Sequence, residues 1–258
     1  MKARIHPTAL IDSSAELGAG VEIDAWAIVG PQCVIGDGCV ISARATIERN
    51  ARLGQRVKVG IGSIVGGDGQ DLKYRGEETW VEIGDDTALR EYVTVNRGTA
   101  HSLMTTVGKN CFLMSYSHVG HDCRIGDHVI ISNTCQLGGH VTIDDHASIG
   151  GMSAVHQFGK VGRHSFVGGC SRVTQDVPPF VRATGNPIKL YGLNSVGLQR
   201  NGFDAAVIAE LKRAYRYCFR SELNLSQGIE RARAEVADVV EVRQFLEFIE
   251  ASQRGVAF

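Results

Sequence analysis

The densest concentration of reactive side chains is Ser117-His118-Val119-Gly120-His121-Asp122, where two imidazoles flank a valine and a carboxylate follows the second. Imidazole has an ordinary pKa of about 6.5, so it can take and return a proton near neutrality, and a neighbouring acid can hold its ring. Two more such segments follow at intervals of eighteen residues, QLGGH at 136–140 and AVHQF at 154–158. Three functions fit this pattern. A general base needs one imidazole within hydrogen-bond reach of a hydroxyl, which His121 and Asp122 could supply. A metal site needs three convergent ligands at about 2.0 to 2.1 Å and an open position. A plain structural scaffold needs neither, and leaves the recurrence of histidines without a reason.

The interval of eighteen acquires meaning from the rest of the chain. From Val107 to Val173 an aliphatic residue returns at every sixth position, through Leu113, Val119, Ile125, Ile131, Leu137, Ile143, Ile149, Val155, Val161 and Val167. The residue two before each is mostly small. This is the hexapeptide signature of a parallel β-helix, an all-β solenoid in which three hexapeptides make one triangular coil. Coils stack at about 4.8 Å, so residues eighteen apart lie above one another. Stacking then brings His118, His121, His140, His156 and Gln157 towards one edge, and sets Gly139 beside His121. The outward His128, His146 and His164 read as solvated surface.

The same period starts at Ile5 and runs to Val65. It breaks at 66–80 and again at 96–106, where Asp71, Glu77 and His101 occupy core positions, so both segments must leave the coil as loops. Long loops on a regular scaffold are usually functional or disordered, and their Asp, Lys, Arg and Asn content favours function. Asp176-Val177-Pro178-Pro179 is expected to end the solenoid, because adjacent prolines remove ladder donors. The division is therefore a β-helix over 1–187 and a small α-helical domain over 188–258. In the latter, 193–200 reads as a short helix, Asp204 as the cap of a helix to about Arg220, 226–237 as a third, and Asp238 with Glu241 as a capping-box start for the last.

The whole composition excludes some classes. The 258 residues carry 27 basic and 28 acidic side chains, a net charge of −1, which gives no nucleic-acid footprint. The N-terminal segment lacks the apolar stretch of a signal peptide, and no run approaches the ~18 apolar residues of a membrane span, so a cytoplasmic protein is expected. Of seven cysteines, Cys33, Cys39, Cys111, Cys123 and Cys135 fall in the small inward column and read as buried hydrophobes in a reducing compartment.

The segments GQDLKYRGE, NRGT, HVGHDCRIGD, QLGGHVTIDD, GGMSAVHQF, VGGCS and QDVPPFV, with RNGF and the helical tail, resemble the UDP-N-acetylglucosamine O-acyltransferases that open lipid A synthesis, a family of hexapeptide-repeat transferases. The resemblance covers essentially the whole chain. It implies a left-handed parallel β-helix, an exception to the usual right-handed crossover. It also implies a homotrimer that moves an R-3-hydroxyacyl chain from acyl carrier protein to the sugar 3-position of UDP-N-acetylglucosamine, with no cofactor, metal, nucleic acid or stable membrane insertion. Carried onto this sequence, His121 becomes the general base, Asp122 the holder of its ring, and the Gly139 N–H the donor to the developing oxyanion. Gln70, Asp71 and Lys73 match positions that hold sugar and phosphate. His118, His140, His156 and Gln157 would line the cleft, Asn194 and Arg200 would meet the nucleotide, and Gly169 would limit acyl length.

The chain departs from the family pattern at Asn96, where His is common, and at Val196 and Asn201, where Glu and Arg are common; these bear on the acceptor contacts and leave the base untouched. Two alternatives follow, a transferase for another nucleotide sugar such as a 3-amino analogue, and a γ-class-like zinc hydratase. The spacing of three between His118 and His121 is narrower than that zinc family uses.

Overall fold

The computed structural model describes residues 3–258. Two-residue strands separated by tight corners wind into a left-handed parallel β-helix with three faces, sheets of eleven, nine and eight strands. The pairing repeats at eighteen residues, as in Arg124 opposite Thr142 and His118 opposite Gln136. The aliphatic column and the small column both point inward. Val119, Cys123, Ile125, Val129, Ile131, Cys135 and Leu137 are all buried, and each aliphatic side chain removed from water contributes about 1.5–3 kcal/mol. The five inward cysteines are free and buried. Burial pushes the Cys111 thiol up to about 11, so at neutral pH it is an inert space-filler.

From Gly20 onward the corners turn on residues with left-handed backbone, among them Tyr92, Asp122, His140, Phe158 and His164. The conformation is costly for a side chain other than glycine, and Asn, Asp and His tolerate it best. Corner side chains therefore form vertical columns. One column stacks His128 on His146 at 4.6 Å and His146 on His164 at 4.5 Å between ring centroids. His164 is buried, with Phe203 edge-on at 4.8 Å, which corrects the expectation of three solvated histidines: the helical tail closes over the end of the column.

The two interruptions are loops, one between the strands Ile64–Gly67 and Trp80–Ile83, the other between Thr94–Asn96 and Met104–Val107. The prolines do not end the sheet as expected. A further strand, Val181–Thr184, still pairs in parallel with Phe166–Val167, because Pro178 follows the last bridge of its face, Val161–Val177, and at the corner Phe180, not Pro179, donates its N–H to the Arg163 carbonyl. Lys189–Leu193 then folds back antiparallel and closes that edge.

Four helices follow: α1 (Ser195–Arg200), α2 (Ala205–Phe219), α3 (Leu225–Glu235) and α4 (Val240–Glu250). Asp204 caps α2 through Ala206 N–H, as its position suggests. Asp238 does not cap α4; its carboxylate pairs with Arg243, and Val239 precedes the helix without a side-chain cap. No helix among the described residues is long and apolar enough to cross a membrane.

Candidate active site

The histidine segments lie on one corner of the prism, and the eighteen-residue register stacks them. His121 is buried and its Nδ1 lies 2.7 Å from Asp122 Oδ2. With the carboxylate as acceptor there, Nδ1 carries the proton and Nε2 keeps its lone pair. One coil on, His140 N–H donates to the His121 carbonyl, so Gly139 comes directly against the His121 ring. A methyl group at Gly139 would collide with that ring at 2.5 Å from Cε1 and closer still to Nε2. Only glycine leaves space there for a reacting hydroxyl. Among the described residues the Gly139 N–H donates to no protein acceptor, which leaves it free for a developing negative charge next to a base.

Asp122 is buried, and burial alone would raise its pKa. Hydrogen bonds from Ser102, His121 and Thr99 overcome that cost and hold the carboxyl well below the usual carboxylate range. His140 stacks on Phe158 at 4.3 Å and meets His121 and His101 edge-on at 5.0 and 4.7 Å. Burial lowers its pKa, against the opposing pull of Asp122. His118 is likewise lowered, first by burial and then by His121, and its Nδ1 is bound to Thr94 Oγ1 at 2.8 Å. It touches no carboxylate.

The ligand atoms of His121, Asp122 and His140 lie within 4.8 Å of one another, a spacing that could hold a cation. Against that use, both Asp122 oxygens already accept protein hydrogen bonds and His121 Nδ1 is engaged by one of them. The donor set suits an oriented base better than a metal ligand.

A groove of about 420 Å³ opens here, lined by Gln70, His118, His121, Gln136, Gly139, His156 and Gln157. Comparison with known proteins places the chain in a family. The hexapeptide transferase model matches 2–49 and 104–139, and the model for domain 2 of UDP-N-acetylglucosamine O-acyltransferase matches 176–257. Acyl-[acyl-carrier-protein]–UDP-N-acetylglucosamine O-acyltransferase from Syntrophobacter fumaroxidans is 46% identical, over 98% of this chain and 99% of its own. The corresponding protein of Myxococcus xanthus is 48% identical over the same shares. The crystal structure of the Bacteroides fragilis UDP-N-acetylglucosamine acyltransferase superposes with a TM-score of 0.97 at 38% identity, over 98% of this chain and all of that one.

The chain belongs to the UDP-N-acetylglucosamine O-acyltransferase family.

The remaining positions suggested by the likeness to this UDP-N-acetylglucosamine O-acyltransferase family divide into two groups. Gln70 faces the groove from the first loop, where Asp71 Oδ1 accepts from Lys73 N–H and Lys73 itself is exposed. Asn194, Arg200 and Gly169 do not line the groove. Asn194 caps α1, accepting from Gly197 N–H and donating to the His164 carbonyl; Arg200 ends α1, exposed; Gly169 lies on a different corner, where an added Cβ would stand 3.2 Å from the Gly151 carbonyl oxygen. Of the three departures from the family pattern, Asn96 is buried and donates to the Asp68 carbonyl, fastening the first loop, while Val196 and Asn201 are exposed on and just after α1.

Sequence reasoning passed over Thr99, Ser102, His101 and Arg254. The last reaches from the tail to His156 Nδ1 at 3.2 Å. Thr99 gave a signal as the end of the NRGT segment, and His101 by its position in phase with the core.

Proposed function

We propose that this protein transfers an R-3-hydroxyacyl chain from acyl carrier protein to the glucosamine 3-hydroxyl of UDP-N-acetylglucosamine, the first step of lipid A synthesis, with His121 as general base. The observation that carries the mechanism is the His121–Asp122 pair set against the Gly139 amide in an open groove. A sugar hydroxyl is a poor nucleophile at neutral pH. His121 Nε2 takes its proton as the oxygen attacks the thioester carbonyl, and Asp122 stabilises the imidazolium that results. The carbonyl oxygen becomes an oxyanion facing the Gly139 N–H. Collapse of the tetrahedral intermediate breaks the C–S bond, and the departing thiolate takes the proton back from His121.

Gln70, Asp71, Lys73, His118, His140, His156 and Gln157 hold the acceptor in this reading, with Lys73 as a point charge for phosphate. Asn194, Arg200 and Gly169 act from a neighbouring protomer of a homotrimer, and the enzyme works in the cytoplasm. Supporting the trimer, one protomer leaves Tyr116 57% and Phe166 37% exposed on its outer surface, while its groove lacks those three residues.

Mass spectrometry of the product from UDP-N-acetylglucosamine and a panel of hydroxyacyl carrier proteins tests the reaction; acylation only of a 3-amino sugar would replace it with the amine reading. Sedimentation tests the assembly, and a stable monomer at micromolar concentration with full activity would refute it.

A further inference from the structure

We infer that the second loop is the positioning element of the catalytic pair, with Thr99 and Ser102 as the residues that hold Asp122 and, through it, His121. This rests on the reading of His121 as base. Thr99 is buried and approaches the carboxylate twice, through its N–H to Oδ1 at 3.1 Å and its hydroxyl to Oδ2 at 2.8 Å. Ser102 does the same through its N–H at 3.2 Å and its hydroxyl, both to Oδ1. Thr105 takes the other end of the residue, its Oγ1 accepting from Asp122 N–H at 2.8 Å. With His121 Nδ1, five donors converge on one carboxylate.

The loop has its own fastenings. Leu103 N–H closes a turn onto the Thr99 carbonyl at 2.8 Å. Arg97, fully buried, ties the base of the loop to the Gly66 carbonyl, Asp68 and Tyr74. The loop thus grips Asp122 from a braced footing, a geometry that a loop serving only to touch substrate would not need. An Asp alone at this corner could swing about χ1 and χ2; gripped at both oxygens, it presents Oδ2 to the imidazole in one orientation.

The effect on the base has a sign. Each donor removed from Asp122 leaves more of its charge for the imidazole proton and favours the imidazolium, so the pH below which the base is lost moves up. The other titratable groups facing the pair are His140, with Nε2 3.9 Å from Asp122 Oδ2, His118, His101 beyond His140, and the inward Cys123 thiol.

The test is steady-state kinetics of Ser102→Ala and Thr99→Val in the full-length enzyme. One charge-assisted hydrogen bond corresponds to about tenfold, so kcat should fall about tenfold in each, with both KM values within about twofold, and the acid limb of kcat/KM against pH should move upward. Ser102→Thr and Thr99→Ser, which keep the hydroxyls, should restore kcat and the profile and serve as the folding controls. In a His121→Ala background, Ser102→Ala should cost nothing further, because both act through one group. A raised KM for the nucleotide sugar with kcat unchanged, an unmoved pH profile, or an equal loss of kcat in the His121→Ala background would overturn the inference. If instead His121→Ala keeps its kcat, the assignment of the base itself fails.

Discussion

Gly139→Ala isolates the closest approach in the site. The added Cβ would stand 2.5 Å from His121 Cε1 and nearer to Nε2, whereas carbon atoms rest at about 3.5 Å or more. The ring must therefore retreat by about 1 Å. It cannot do so while keeping the 2.7 Å bond to Asp122 and the same aim into the groove. Gly139 has no left-handed backbone demand and the collision is with a side chain, so the fold tolerates the methyl. A misplacement of about 1 Å costs on the order of 10²-fold, and loss of the base entirely costs about 10² to 10⁴-fold. The variant should then lose at least about 10² in kcat, with thermal midpoint and assembly near those of the parent. The assay is acyl transfer under saturating UDP-N-acetylglucosamine and hydroxyacyl carrier protein. A kcat within threefold of the parent would mean that the hydroxyl does not pass between His121 and Gly139, and the mechanism would have to be redrawn.

Other outcomes follow from the same geometry. His121→Ala should lower kcat by about 10² to 10⁴-fold, and His118→Ala by less, since His118 is bound to Thr94 and touches no carboxylate; the reverse order in the same assay would move the base to His118. Gly169→Met sets a side chain beside Gly151, its Cβ 3.2 Å from that carbonyl oxygen, and at roughly 0.8 kcal/mol per excluded CH₂ a competition assay should shift toward shorter acyl donors. Dialysis against a chelator should leave kcat unchanged, and stoichiometric zinc by elemental analysis with loss of activity on its removal would favour the hydratase reading. His164, pushed down to about 4 by burial and then by His146 and Arg163, stays neutral in the fold where the unfolded chain takes a proton. Its contribution to stability should thus fall by about 2 kcal/mol between pH 7 and pH 5, read as urea midpoints, and His164→Phe should remove that share of the slope.

The sequence made the solenoid legible because one physical rule, an inward aliphatic every sixth residue, repeats without regard to what surrounds it. The same rule carried His121 to Gly139, since a fixed coil length turns sequence separation into distance. It stopped where periodicity stops. Thr99 and Ser102 lie in a loop whose path no repeat dictates, and hydroxyl residues in loops usually serve turns. The prolines at 178–179 suggest a stop because a ladder position forbids them, yet Pro178 follows the last bridge of its face and Pro179 opens a corner whose donor is Phe180 N–H. Asp238 had the spacing of a cap and instead met Arg243, a contact that spacing alone does not specify. His164 reads as surface because its column is outward on every coil; the tail that covers it comes from thirty to forty residues further along.

The two loops also obey an arithmetic of their own. Partners across ordinary coils are eighteen apart, those across the first loop thirty, and those across the second twenty-four. The excess is twelve and six, whole multiples of the repeat. The scaffold keeps a word length of six: both insertions amount to complete words, and after each the downstream side chains face as before. Catalytic loops could thus be gained, exchanged or removed as cassettes without renegotiating the core, and a designer who respects the same unit could graft new ones at other corners of the same prism.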